Sequence, residues 1–72
     1  MLKIGFIGAG TVGTALAIRL SQQGYRVITV HDLKLAAAQR LAQAVKDCRI
    51  LEKAQGVADT AEFVFITTVD DF

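Results

Sequence analysis

Leu2-Lys3-Ile4-Gly5-Phe6-Ile7-Gly8-Ala9-Gly10-Thr11-Val12-Gly13 is the stretch on which the reading of this chain turns. An apolar run, Ile4 to Ile7, leads without a break into Gly8-Ala9-Gly10-Thr11-Val12-Gly13, the pattern of a phosphate-binding turn between strand and helix. Gly8 lets the chain reverse as it leaves the strand. Gly10, without a Cβ, lets the backbone approach a pyrophosphate, and Gly13 lets the helix lie close to the strand. Free amides near Thr11 and Val12 would point at the anion, aided by the helix dipole. The pattern alone is weak, since a glycine turn with no ligand looks the same. Its surroundings favour a nucleotide. A second apolar run ends at Asp32, 19 positions after Gly13, and an acid that binds ribose is expected about 20 residues on.

Seventy-two residues allow one small domain, which buries only about 60% of the surface of its unfolded chain. With glycine counted and tyrosine left out, the apolar share is roughly 60%, against a usual 45–50%. That excess suits a piece covered by another copy of itself or by a continuation of the chain. A net charge of +1, evenly spread, offers no footprint for nucleic acid or an anionic membrane. No apolar run approaches a membrane span, and no leader precedes the first strand. A single cysteine, Cys48, fits a reducing cytoplasm and reads as a small apolar residue. No metal site is read.

Hydrophobic periodicity alternates along the chain. Strand one is expected over Leu2–Ile7 and helix one over Thr11–Gln23. The stripe of that helix is Val12, Leu16 and Leu20 with Ala15; Gly13 and Ala17 form a flat side, and Gly24 makes a left-handed cap. Strand two is expected over Tyr25–Val30. Helix two follows over Leu33–Val45, with Leu35, Ala38, Ala42 and Val45 on one face. A short strand at Cys48–Leu51, a weak helix at Glu52–Ala61 and a fourth strand at Glu62–Thr68 complete the series. The fold class is therefore α/β, a Rossmann-type parallel sheet in strand order 3-2-1-4, truncated after the fourth strand. Residues 1–72 read as the N-terminal portion of a dinucleotide-binding domain, with the substrate domain absent. Strand four would be an apolar edge prone to pairing.

Lys3 to Gly10 with Val12-Gly13, and Gly24-Tyr25-Arg26-Val27 opening strand two, resemble the N-terminal domain of the 6-phosphogluconate-dehydrogenase-like superfamily. The nearest groups are the pyrroline-carboxylate-reductase-like, deazaflavin-dependent NADP-oxidoreductase-like and Rossmann-like oxidoreductases. Ala61 to Asp71 resembles the family's fourth strand, where a hydrophobic run ends in a turn beside the cofactor. Two departures stand out. Val69 replaces a common proline, and Asp32-Leu33 stand where NADP-using relatives carry Ser/Asn-Arg. Aspartate accepts hydrogen bonds from ribose hydroxyls and repels a 2′-phosphate, so NAD is somewhat favoured over NADP, with Lys34 close by. In such relatives catalysis rests on a C-terminal helical domain, so the resemblance assigns no catalytic residue here.

The expected cofactor-binding residues are Gly8, Gly10, Thr11, Val12, Gly13, Asp32, Thr67 and Thr68. Asp32 also suits the N-cap of helix two, and Thr11 either reaches a phosphate or caps helix one. His31 reads as a surface or capping histidine. Asp70 and Asp71 lie too close in sequence to be assigned as an acid/base pair. The resulting expectation is the NAD(P)-binding portion of an oxidoreductase that transfers hydride through nicotinamide, inactive alone. A non-catalytic nucleotide-sensing module is the alternative. FAD is a third possibility, because Gly13 with Ala17 and Leu20 also suits a flavoprotein fingerprint.

Overall fold

A computed structural model describes residues 2–67. Seven elements alternate: β1 (Lys3–Ile7), α1 (Thr11–Gln22), β2 (Arg26–His31), α2 (Leu35–Ala44), β3 (Arg49–Ile50), α3 (Ala54–Thr60) and β4 (Phe63–Ile66). The strands form one parallel sheet in the order β3-β2-β1-β4, as the alternation predicts. The expected Rossmann-type α/β class is the observed one.

Helices cover both faces of the sheet. Ile4, Phe6, Val27 and Val30 form a core with Ala17 of α1, with Ala38 and Leu41 of α2, and with Val45 just beyond it. Phe65 stacks on Phe6 at 5.3 Å between ring centroids, and Phe63 lies 5.0 Å from Phe65. On the other face Val57 of α3, fully buried, sits over Gly5 and Thr29. Burial of each large side chain contributes about 1.5–3 kcal/mol.

The strands do not alternate strictly. Val27 and Val30 share the α1/α2 core although they are three residues apart. The register between β1 and β2 shifts at Ile4/Gly5: Ile4 pairs with Val27, but Gly5 pairs with Thr29. The skipped residue, Ile28, reverses the faces of β2 and turns Thr29 toward α3. In a plain strand Thr29 would share a face with Val27.

Several sequence expectations need correction. In α1 the buried residues are Gly13 and Ala17, with Leu16 and Leu20 half-buried, whereas Val12 is 67% exposed and Ala15 is exposed. The helix meets the sheet through its small residues because its first turn leaves the end of β1 at close range. Helix two starts at Leu35 rather than Leu33, so Leu35 stands in its first turn, 59% exposed. Strand three shrinks to two residues, both exposed. Gly24 adopts φ +91°, and the Tyr25 and Gly24 amides donate to the Leu20 and Ser21 carbonyls at 3.0 and 3.1 Å, which closes α1 as expected.

The Thr29 hydroxyl, 2% exposed, has no hydrogen-bond partner among the described residues. An unpaired buried hydroxyl costs stability, and an isosteric apolar group removes that cost. Thr29→Val is expected to raise unfolding stability by about 1 kcal/mol in chemical denaturation; a loss of stability would mean that the hydroxyl is satisfied.

Candidate functional site

The site begins where β1 stops. Gly8 has φ +103°, a conformation that side chains disfavour. Its amide donates to the His31 carbonyl at 2.8 Å, which continues the β1–β2 pairing by one step. The Ala9 carbonyl accepts from the Thr14 hydroxyl at 3.2 Å, and the Gly10 carbonyl accepts the Thr14 amide at 2.9 Å. Gly10 is the N-cap of α1, and among the described residues no side chain caps the first turn. An α-helix gives its first amides no internal acceptor. Those of Thr11, Val12 and Gly13 therefore face outward at the positive end of the dipole, an arrangement suited to an anion. Thr11 does not cap α1; it is exposed beside these amides.

A cavity of about 520 Å³ opens at the carboxyl ends of the strands. Gly8 and Gly10 line it together with Asp32, Lys34 and Thr67, and Ala37 and Ala54 add apolar wall from α2 and α3. A Cβ built on Gly10 meets nothing within 4 Å. It would project into open space, the space that a ligand on these amides needs. Gly13 differs: a Cβ there would lie 2.5 Å from Thr67 Oγ1 and 2.8 Å from the Gly8 carbonyl oxygen.

Asp32 closes one side. Its Oδ2 accepts the Ala9 amide at 2.7 Å and its Oδ1 accepts the Lys34 amide at 2.8 Å. Because α2 starts two residues late, Asp32 is not its N-cap; Lys34 is, and Asp32 forms an Asx turn onto it. Burial pushes the Asp32 carboxyl upward, but the Lys34 and Ala9 amides, with the charges of His31 and Lys34, outweigh it and hold it below 3.8. The group is an anion at neutral pH. A carboxylate has about four lone-pair sites, so two remain for hydroxyl donors from the cavity.

His31 Nδ1 donates to the Leu51 carbonyl at 3.0 Å and ties β2 to the start of the α3 connection. That bond, the Ala37 and Ala54 walls, and the grip of Asp32 on the Ala9 amide were not legible from the motif. They depend on where helices begin, which the motif does not specify. Burial raises the Cys48 thiol to about 11, so it stays protonated and packs against the core as expected. Of the eight expected residues, Gly8, Gly10, Asp32 and Thr67 line one cavity, while Thr11, Val12 and Gly13 form the helix turn beside it. Thr68, like Val69, Asp70 and Asp71, lies outside the described residues. No helix among the described residues is long and apolar enough to cross a membrane.

Residues 3–69 match the family described as NADP oxidoreductase, coenzyme F420-dependent. The 2-(hydroxymethyl)glutarate dehydrogenase of Eubacterium barkeri is 34% identical over 64 residues, covering 89% of this chain and 20% of that protein. The crystal structure of a candidate NADP oxidoreductase from Bacteroides fragilis superimposes with a TM-score of 0.85 at 29% identity. It covers 96% of this chain and 26% of its own. An imine reductase from Myxococcus stipitatus, a V8 variant in complex with NAD+, gives a TM-score of 0.81 at 23% identity. That match covers 97% of this chain and 23% of the reductase, and it speaks to the fold. The chain thus spans about a fifth to a quarter of the length of these proteins.

The geometry sets expected outcomes for three substitutions. Gly13→Ala forces Thr67 or the Gly8 carbonyl to move and should cost about 1–3 kcal/mol in thermal or chemical unfolding. Gly10→Ala, facing open space, should change stability by less than about 0.5 kcal/mol; equal losses would refute this division of roles. The lowered carboxyl of Asp32 means that its contribution is present above its unfolded value and fades as pH falls through its folded value. At pH 7 Asp32→Asn should therefore be about 1 kcal/mol less stable than the native chain, allowing for partial exposure. The gap should close once pH has fallen below the lowered value of that carboxyl, and a gap constant with pH would contradict the two amide bonds.

Proposed function

This chain belongs to the family of coenzyme F420-dependent NADP oxidoreductases, and we propose that it is the nicotinamide-dinucleotide-binding portion of such an oxidoreductase. One observation supports the reading above others. The uncapped first turn of α1, the open space above Gly10 and the Asp32 carboxylate border a single cavity at the carboxyl ends of the strands. Parallel open sheets bind their ligands at that end.

In this reading the pyrophosphate lies against the amides of Gly10 to Gly13, where the dipole and unpaired N–H groups replace its water. The adenosine ribose donates its hydroxyls to the free lone pairs of Asp32. A 2′-phosphate would meet that anion, with the Lys34 ammonium as the counterweight on the same cavity wall. NAD is accordingly the preferred form. The nicotinamide half runs toward Thr67 at the end of β4, with Thr68 next in sequence. Hydride chemistry belongs to the cofactor, and the chain contributes position and field. Residues that hold the second substrate come from outside this chain's cavity, so the 72 residues alone bind the dinucleotide and turn nothing over. The single thiol and the use of a nicotinamide fit a reducing cytoplasm.

Titration of the purified chain with NADH and NADPH, followed by calorimetric heat or nicotinamide fluorescence, tests the proposal. NADH should bind, and more tightly than NADPH. Asp32→Ala should weaken NADH binding by about tenfold, the worth of one or two charge-assisted hydrogen bonds, and narrow the gap to NADPH. Absence of binding by both nucleotides to the folded chain would overturn it.

A further inference from the structure

Two side chains from opposite sides of β1 grip one peptide group. The Thr67 hydroxyl, at the end of β4, donates to the Gly8 carbonyl at 2.8 Å. Asp32, at the end of β2, accepts the Ala9 amide at 2.7 Å. The Gly8 carbonyl and the Ala9 amide are the two ends of the same planar unit. We propose that Thr67 is a positioning residue for the dinucleotide: with Asp32 it fixes the plane of the Gly8–Ala9 peptide and so aims the amides that follow.

The need for such a grip comes from Gly8. The plane of the Gly8–Ala9 peptide is set by ψ of Gly8 and φ of Ala9, and without a Cβ Gly8 leaves the first of these less restricted than any residue with a side chain would. A turned peptide would bring the Gly8 carbonyl oxygen toward the face where the Gly10–Val12 amides await an anion. It would break both side-chain bonds at once, because they hold opposite ends of one dipole. Thr67 works 59 residues away in sequence, and the Thr67 amide is itself anchored on the Ile7 carbonyl at 2.9 Å. The hydroxyl is thus presented by the sheet and does not depend on a mobile side chain.

A second feature independently marks the same contact. The Cβ that Gly13 lacks would stand 2.5 Å from Thr67 Oγ1. The third glycine of the motif therefore leaves room for the hydroxyl that holds the first. Thr67 spends its only hydrogen on Gly8 and acts on the nucleotide through the loop.

The inference rests on the dinucleotide reading, and the test separates the two. Thr67→Val keeps the shape and removes the hydroxyl, whereas Thr67→Ser keeps the hydroxyl. NADH affinity of the full chain should fall about 3- to 10-fold in Thr67→Val, the worth of one hydrogen bond, and return to within about twofold in Thr67→Ser. Without any nucleotide, the Ala9 amide resonance in Thr67→Val should shift and exchange with solvent faster, while the serine variant keeps the native signal. An unchanged Ala9 amide in Thr67→Val would overturn the clamp, as would equal loss of affinity in both variants. If the native chain binds no dinucleotide, the functional reading fails and the Ala9 amide alone decides the clamp.

Discussion

The Asp32 carboxylate joins the two connections that leave β1 and β2, and the shape of the site depends on that junction. One oxygen holds the amide of Ala9 in the glycine turn and the other holds the amide of Lys34 ahead of α2. Both loops are consequently fixed to a single short side chain. A charged acceptor is suited to the task because a bond to an ionised group is roughly twice as strong as a neutral one. The same bonds keep the group ionised: the two amides, with the coulombic pull of His31 and Lys34, outweigh the burial that opposes its charge. Structure and electrostatics reinforce each other here. The acid that arranges the turn is the acid left facing the cavity.

The three glycines of the motif do three different jobs, each visible as a distinct spatial constraint. Gly8 takes a backbone angle of +103°, so its constraint is conformational. Gly10 has ordinary angles and empty space where a Cβ would be, so its constraint lies in what approaches from outside. Gly13 is crowded by Thr67 and by the Gly8 carbonyl, so its constraint is internal packing. One pattern of spacing thus combines a turn, an entrance and a fit.

The order of elements and of strands was legible because it rests on periodicity and on the right-handed crossover, both of which are local or general rules. The cavity's floor was legible for the same reason: strand, glycines and helix follow one another directly in sequence. Other features escaped because distant residues decide them. The irregularity at Ile28 arises where Gly5 and Val57 must be packed on one face and Ile4 and Phe6 on the other. Val12 reads as part of an apolar stripe, yet the close approach of Gly13 and Ala17 to the sheet rotates it outward. Thr67 was recognisable as a residue at the cleft, but its bond to Gly8 spans 59 positions. No local pattern encodes such a pairing.

A site made of backbone must keep its donors from being used up by the fold. Along this turn the paired groups run from the Gly8 amide, held by His31, through the Gly8 carbonyl, held by Thr67, to the amide and carbonyl of Ala9, held by Asp32 and Thr14. Every polar group on that side of the turn is satisfied from within. Beyond Gly10 the first amides of α1 have no acceptor within the helix, and no side chain among the described residues caps them. Bonded and open donors therefore meet at the residue whose missing Cβ leaves the way clear. Because the bonded half is tied at so many points, the open half is held in place without contacts of its own. Rigidity is concentrated just upstream of the groups that must stay free, so a ligand arriving there pays little to order them.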